Sequence, residues 1–254
     1  MIILAAGQGS RMRSSLPKIL HTIGSKSMIS HVIDTALELS PDQIILVVSP
    51  SLDQSLIEGK CALDFAIQSA PLGTGDAVRS AVHLIKPHIR DILILCGDVP
   101  LVRSSDLKAL LCTLAPLDPS DLSDLSDPPH SQTLRILAMD LPAGSWREYG
   151  RLCVDGQFVN RIIEHKDLDS SQQTLSLCNA GIYVIPSAIL NEVLSKLDAN
   201  NKAHEYYLTD VVKHAKSIGI QTTYFLSDEP LTLQGINTPE ELASVSAYLE
   251  AMCV

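Results

Sequence analysis

Three apolar runs, residues 2–6, 44–48 and 92–96, are each five residues long and give way to polar or turn residues. Runs of that size suit strands buried on both faces and are far too short to cross a bilayer. Between them lie stretches with helical spacing, residues 27–39 and 76–85, and residues 65–68 read as a further short strand. Buried strands alternating with helices predict an α/β fold, a three-layer sandwich in which helices cover both faces of a mostly parallel, mixed sheet. In such sheets ligands bind beyond the carboxyl ends of the strands, so chemistry is expected in the loops after Ala6, Gln68 and Cys96.

The rest of the chain continues the pattern with one interruption. Residues 116–130 carry four prolines and four aspartates, the aspartates at every third position. That composition cannot bury a core, and the segment is expected to be a mobile acidic surface loop, dispensable for chemistry. After it, residues 134–139, 151–154 and 158–163 read as strands, with Asp155-Gly156 as a hairpin turn. Residues 177–185 and 221–226 are two more strands, and 188–197, 208–217 and 239–251 are helices, the last opening on proline and Glu240-Glu241.

Composition narrows the function classes. With 46% apolar and 19% charged residues the chain is not a disordered one, and its 254 residues are treated as a single domain, 1–254. A net charge of −10 opposes binding to nucleic-acid backbones, although a few focused cations suffice for a small phosphorylated ligand. Six cysteines without CxxC or metal-ligand spacing are expected to be reduced, mostly buried thiols in a cytoplasmic protein. No secretory or membrane segment is expected, and the eight histidines show no ligand spacing.

The first strand breaks into Leu4-Ala5-Ala6-Gly7-Gln8-Gly9-Ser10-Arg11-Met12. Glycines let the backbone turn tightly and aim N–H groups at an anion. The spacing matches neither a dinucleotide fingerprint, since Met12 stands at the third glycine, nor a P-loop. Alone it reads equally well as an ordinary tight turn. Arg11 and the stiffened Leu16-Pro17-Lys18 add two cations that can converge on phosphate oxygens.

These residues, with Ser15 to Met28, resemble the opening signature of the sugar-1-phosphate nucleotidyltransferases, and within them the N-acetylglucosamine-1-phosphate uridylyltransferases that form the N-terminal half of bifunctional enzymes. Further motifs follow in the same order. They are Gln68 to Gly75, Cys96 to Leu101, Tyr149-Gly150-Arg151, Ile163 to Asp167, Asn179 to Tyr183, Glu205 to Asp210 and Gly235-Ile236-Asn237. The resemblance implies a Rossmann-like, GT-A-like fold. It implies transfer of a uridylyl group from UTP to a hexosamine 1-phosphate, N-acetylglucosamine 1-phosphate, with release of pyrophosphate.

It also implies roles. Leu4, Ala5, Ala6 and Gly7 would hold the nucleotide with Gln68, Gly73 and Thr74, and Gln68 would read the uracil. Arg11 and Lys18 would be catalytic, neutralising the triphosphate. Gly97, Gly150, Glu164 and Asn179 would face the sugar, and Asp98 with Asn237 would hold Mg²⁺, a cation that commonly takes few protein oxygens. Simpler readings stand beside these: Gln68 as a strand-end side chain in water, Asp98 and Asn237 as helix caps, Glu164 as a hairpin charge.

The chain departs from the family pattern at Cys96, Asp76, Glu148 and His204, where relatives usually carry tyrosine, histidine, glycine and glycine. Three of these flank the sugar side and leave the acceptor open. There is no run of apolar-glycine hexapeptides, so the acetyltransferase β-helix of bifunctional members is not expected. Two other readings are a related transferase with a different nucleotide or an alcohol phosphate, and a non-catalytic subunit of the same fold.

Overall fold

The computed structural model describes residues 1–57, 62–113, 133–142 and 148–252, so the acidic segment 116–130 lies outside the described residues. The strands are β1 (Ile2–Leu4), β2 (Thr22–Ile23), β3 (Lys26–Ser27), β4 (Ile45–Val48), β5 (Asp64–Ile67), β6 (Asp91–Cys96), β7 (Leu134–Asp140), β8 (Arg151–Asp155), β9 (Phe158–Ile163), β10 (Leu177–Pro186) and β11 (Thr222–Leu226). The helices are α1 (Met28–Leu37), α2 (Thr74–Ala81), α3 (Ser104–Cys112), α4 (Ser187–Ser195), α5 (Val211–Ser217) and α6 (Pro239–Met252). Among the described residues nine strands form one sheet in the order β5-β4-β1-β6-β10-β7-β11-β9-β8, and β2 and β3 form a separate hairpin.

The sheet is mixed in the expected sense. β5, β4, β1 and β6 are mutually parallel, as are β7 and β11, while β10 runs antiparallel to β6, β7 and β8 and β9 runs antiparallel to β8 and β11. The apolar runs are continuous because each strand is covered twice. Ile3, Leu46, Val48, Leu93 and Leu95 pack with α1 and α3 on one face. Their neighbours Ile2, Ile45, Val47, Ile92 and Ile94 pack with α2, α4 and α5 on the other. Since β5, β1 and β6 are parallel, the ends at Gln68, Ala5 and Gly97 fall on one edge of the sheet, where the loops were expected to carry the chemistry.

Several local readings change. The β8–β9 hairpin pairs Asp155 with Phe158, so its turn is Gly156-Gln157, with Gly156 at φ +57°, one residue later than expected. The thiols are free, but among the four described only Cys178 is buried. Cys96 and Cys153 are half-buried, and Cys112 ends α3 in solvent. Among the described residues no helix is long and apolar enough to cross a membrane.

Candidate functional site

A cleft of about 310 Å³ opens at the carboxyl edge of the parallel strands, at the low end of the range for small-molecule sites. It gathers Leu4, Ala5, Ala6, Gly7, Lys18, Gln68, Gly73, Thr74 and Asp98, so of the residues expected at the nucleotide all but Arg11 line it, together with Cys96, Pro71 and Glu205. The walls are backbone-built. Leu4 O accepts from Gly97 N at 2.8 Å, and a side chain at Gly97 would meet Leu4 O at 3.0 Å and Ile29 at 3.1 Å. Close packing of the β6 turn on β1 therefore explains this glycine without a ligand.

The opposite wall is the 72–75 turn paired with the Glu205-Tyr206 segment. Tyr206 N donates to Leu72 O and Gly75 N to Tyr206 O, each at 2.8 Å. Gly73 stands at φ +110°, where an added Cβ would lie 2.6 Å from Tyr206 O, so the turn requires glycine. Tyr206 itself lies under the Arg79 guanidinium, 4.5 Å from the ring centre, and Arg79 donates to Leu194 O in the last turn of α4 and to Leu197 O just beyond it. Thr74 Oγ1 accepts from Leu208 N at 3.0 Å, tying the start of α2 to the same segment.

Gln68 is 7% exposed, not a strand-end side chain in water. Its Nε2 donates to Gly73 O at 3.0 Å and to Asp76 Oδ2 at 2.9 Å.

Both expected cations are already paired. Lys18, expected on a triphosphate, donates from Nζ to Asp98 Oδ2 at 2.5 Å and to Asn237 Oδ1 at 3.0 Å. Arg11 lies outside the cleft and donates to Glu148 Oε2 at 2.9 Å, with both side chains more than half exposed. A pair so exposed is worth at most about 1 kcal/mol and is readily exchanged for a phosphate.

The Lys18 pairing also tests the metal reading. Asp98 and Asn237 direct one oxygen each to a single cation, 219 residues from Lys18 in the case of Asn237. An anionic and a neutral oxygen converging on one positive charge fit a magnesium-type donor set. Asn237 is free for this because capping of α6 falls elsewhere. Thr238 Oγ1 accepts from Glu241 N, while Glu241 Oε2 accepts from Thr238 N and Asn237 N. Ile236 N donates to Asp98 O at 2.9 Å, which brings the 235–237 loop against the β6 turn. No group of three or more histidine, cysteine or acidic residues suited to a metal occurs among the described residues.

The residues expected at the sugar are more deeply engaged. β10 shifts register against β7 between Asn179 and Ile182, with Gly181 at φ +77°, and this bulge re-aims Asn179. Asn179 Nδ2 donates to Tyr183 Oη at 2.6 Å and its Oδ1 accepts from Gly181 N at 3.0 Å. Gly150 O accepts from Asn179 N at 2.9 Å, and Gly150 packs under Ile162 and near Glu164. Glu164 Oε1 accepts from Thr209 Oγ1 at 2.9 Å, and burial holds its carboxyl above the usual range. Cys96 reaches Gly181 O, and burial, then Asp98, push its thiol up to about 12. Gly150, Glu164 and Asn179 lie outside the cleft lining.

Sequence reasoning missed Glu205 and Pro71 in the cleft and Tyr149, whose hydroxyl accepts from Gly235 N at 3.2 Å. Glu205 and Tyr149 stood in the motifs above, but nothing in their spacing showed where they point.

Residues 1–143 match the MobA-like NTP transferase domain. The chain is similar to the bifunctional protein GlmU of Cellvibrio japonicus, 35% identical over 98% of this chain and 52% of that protein. It is also similar to that of Paraburkholderia phymatum, 38% identical over 96% of this chain and 51% of that protein. The chain thus spans about half the length of the curated relatives it matches. Among solved structures it resembles a UDP-glucose pyrophosphorylase complexed with UDP-glucose, with a TM-score of 0.69 at 18% identity over 98% of both chains. An inositol-1-phosphate CTP transferase from T. maritima gives a TM-score of 0.65 at 16% identity, over 97% of this chain and 92% of that one. At such identities these two show the fold alone.

Proposed function

Because the chain belongs to the MobA-like NTP transferase family, we propose that it transfers a uridylyl group from UTP to N-acetylglucosamine 1-phosphate, giving UDP-N-acetylglucosamine and pyrophosphate. The observation that carries this reading is the convergence in one cleft of the Leu4–Gly7 backbone, Lys18, Gln68, Gly73-Thr74 and Asp98, drawn from four distant parts of the chain. The similarity to GlmU proteins along nearly the whole chain supports it.

In this reading a phosphate oxygen of the sugar phosphate attacks the α-phosphorus in line, and the bond from that phosphorus to the leaving pyrophosphate breaks. No covalent nucleophile is needed, so the chain contributes position and charge. The Leu4–Gly7 backbone and Gly73 seat the nucleotide, Gln68 accepts from the base, and Arg11 exchanges Glu148 for phosphate oxygens. Lys18 leaves Asp98 to take up phosphate charge. Asp98 and Asn237 would hold Mg²⁺, which when bound would neutralise charge on the nucleotide and the leaving group. Gly97, Gly150, Glu164 and Asn179 would bound the sugar side. The enzyme would act in the cytoplasm on these small molecules, as one domain.

Pyrophosphate release assayed with UTP, dTTP, CTP and GTP against several sugar phosphates and an alcohol phosphate tests the reading. Preference for UTP with N-acetylglucosamine 1-phosphate is the expected result. Absence of turnover with UTP and every sugar phosphate would overturn it.

A further inference from the structure

Asp76 stands at the third position of α2 and bonds not a ligand but the side chain expected to read the base. Gln68 Nε2 has two hydrogens, and the structure commits both, one to Gly73 O and one to Asp76 Oδ2. A carbonyl and a carboxylate can only accept. Turning the amide over would set Gln68 Oε1 against two acceptor oxygens inside a side chain that is 7% exposed. The orientation therefore follows from the partners and not from a choice between two similar atoms. No described residue donates to Oε1, so the end of Gln68 left for a ligand is an acceptor.

We infer that Asp76 is a positioning residue that fixes which end of Gln68 meets the base, and so selects a pyrimidine whose ring nitrogen N3 carries a hydrogen. Uracil and thymine present N3–H to Oε1. Cytosine presents a bare N3, acceptor against acceptor, and leaves Oε1 buried without a partner. A buried acceptor left without its donor loses affinity, by up to on the order of 10²-fold. UTP and CTP are nearly the same size, so the difference between them isolates this bond. The inference rests on the cleft being a pyrimidine nucleotide site, and it does not depend on the acceptor sugar.

The test measures UTP and CTP binding by calorimetry, without sugar phosphate, for the wild-type chain, Asp76→Ala and Asp76→Asn. The wild type should favour UTP by on the order of 10²-fold. Asp76→Ala removes one of the two acceptors. Asp76→Asn is nearly isosteric and offers an N–H that welcomes the inverted amide, so it keeps the inference testable if the alanine variant misfolds. Each variant should lower the UTP/CTP ratio about tenfold, through weaker UTP and stronger CTP binding. A merely structural role would weaken both nucleotides alike. In turnover assays the same variants should raise KM for UTP while kcat at saturation stays within a few-fold. A folded Asp76→Asn with the wild-type ratio overturns the inference even if uridylyl transfer stands. A wild type that binds UTP selectively but transfers it to no sugar phosphate overturns the proposed reaction and leaves the role of Asp76 intact.

Discussion

Removing Asp98 should cost both stability and turnover, for different reasons. Lys18 Nζ holds Asp98 Oδ2 at 2.5 Å, and the two side chains are 10% and 24% exposed. Stripping one partner from a buried pair costs roughly 3–5 kcal/mol, because a charge is stranded away from water. Lys18 keeps Asn237 Oδ1 as a partner, which discounts the figure for Asp98→Ala to about 2–3 kcal/mol. Lys18→Met strands the more exposed partner and should cost less, about 1–2 kcal/mol. The double variant strands neither charge, so its loss should fall short of the sum by a coupling of about 1–2 kcal/mol. Urea unfolding followed by circular dichroism reads all three. Turnover separates the second effect. Asp98→Ala should lose on the order of 10³-fold, as a principal electrostatic group does. Asn237→Ala should lose less and recover partly as Mg²⁺ is raised, because water can fill a neutral oxygen position. The double Lys18→Met, Asp98→Ala variant should regain stability relative to the sum but no activity. Strict additivity would refute the buried pair, and full wild-type turnover in EDTA would refute the metal.

Three further outcomes follow from other parts of the structure. Burial raises the Glu164 carboxyl above its usual range, helped by Asp167, Asp210 and Glu205 and opposed by the Thr209 hydroxyl. Stability from such a group is present below the ordinary carboxylate range and lost as pH climbs through the raised value. Glu164→Gln should therefore lose less Tm than wild type as pH rises above the ordinary carboxylate range, and parallel curves would refute the burial argument. Arg135 on β7 is fully buried, donating to Asp91 Oδ1 at 2.8 Å and Leu111 O at 2.7 Å. Arg135→Ala should cost roughly 3–5 kcal/mol in urea unfolding and Arg135→Met clearly less; equal losses would show that the charge and its hydrogen bonds, not packing, are what the site needs. His204 stands at φ +56°, in the left-handed region that favours glycine. Relief of about 1 kcal/mol of left-handed strain, less the entropy glycine adds to the unfolded chain, should leave His204→Gly about 0.5 kcal/mol more stable. A lowered Tm would refute that.

The elements were legible and the pairings of the site were not, for a physical reason. A strand buried on both faces writes its character into consecutive residues, so 2–6, 44–48 and 92–96 announced themselves, and parallel order placed their ends on one edge. The glycines at 73 and 97 were visible as glycines, but the atoms that exclude a Cβ, Tyr206 O and Leu4 O, come from segments far away or from a neighbouring strand. The same separation hid the ion pairs, since Lys18 meets Asp98 across 80 residues and Arg11 meets Glu148 across 137. Asn237 is the instructive exception. Thr238-Pro239-Glu240-Glu241 is a capping box readable from sequence, and it already assigns the helix end to Thr238 and Glu241. Once that signal is credited, an asparagine just before the box has no capping work left, and its side chain is free to face Asp98. Local patterns thus say which side chains are spoken for, and a functional residue can be sought among those they leave over.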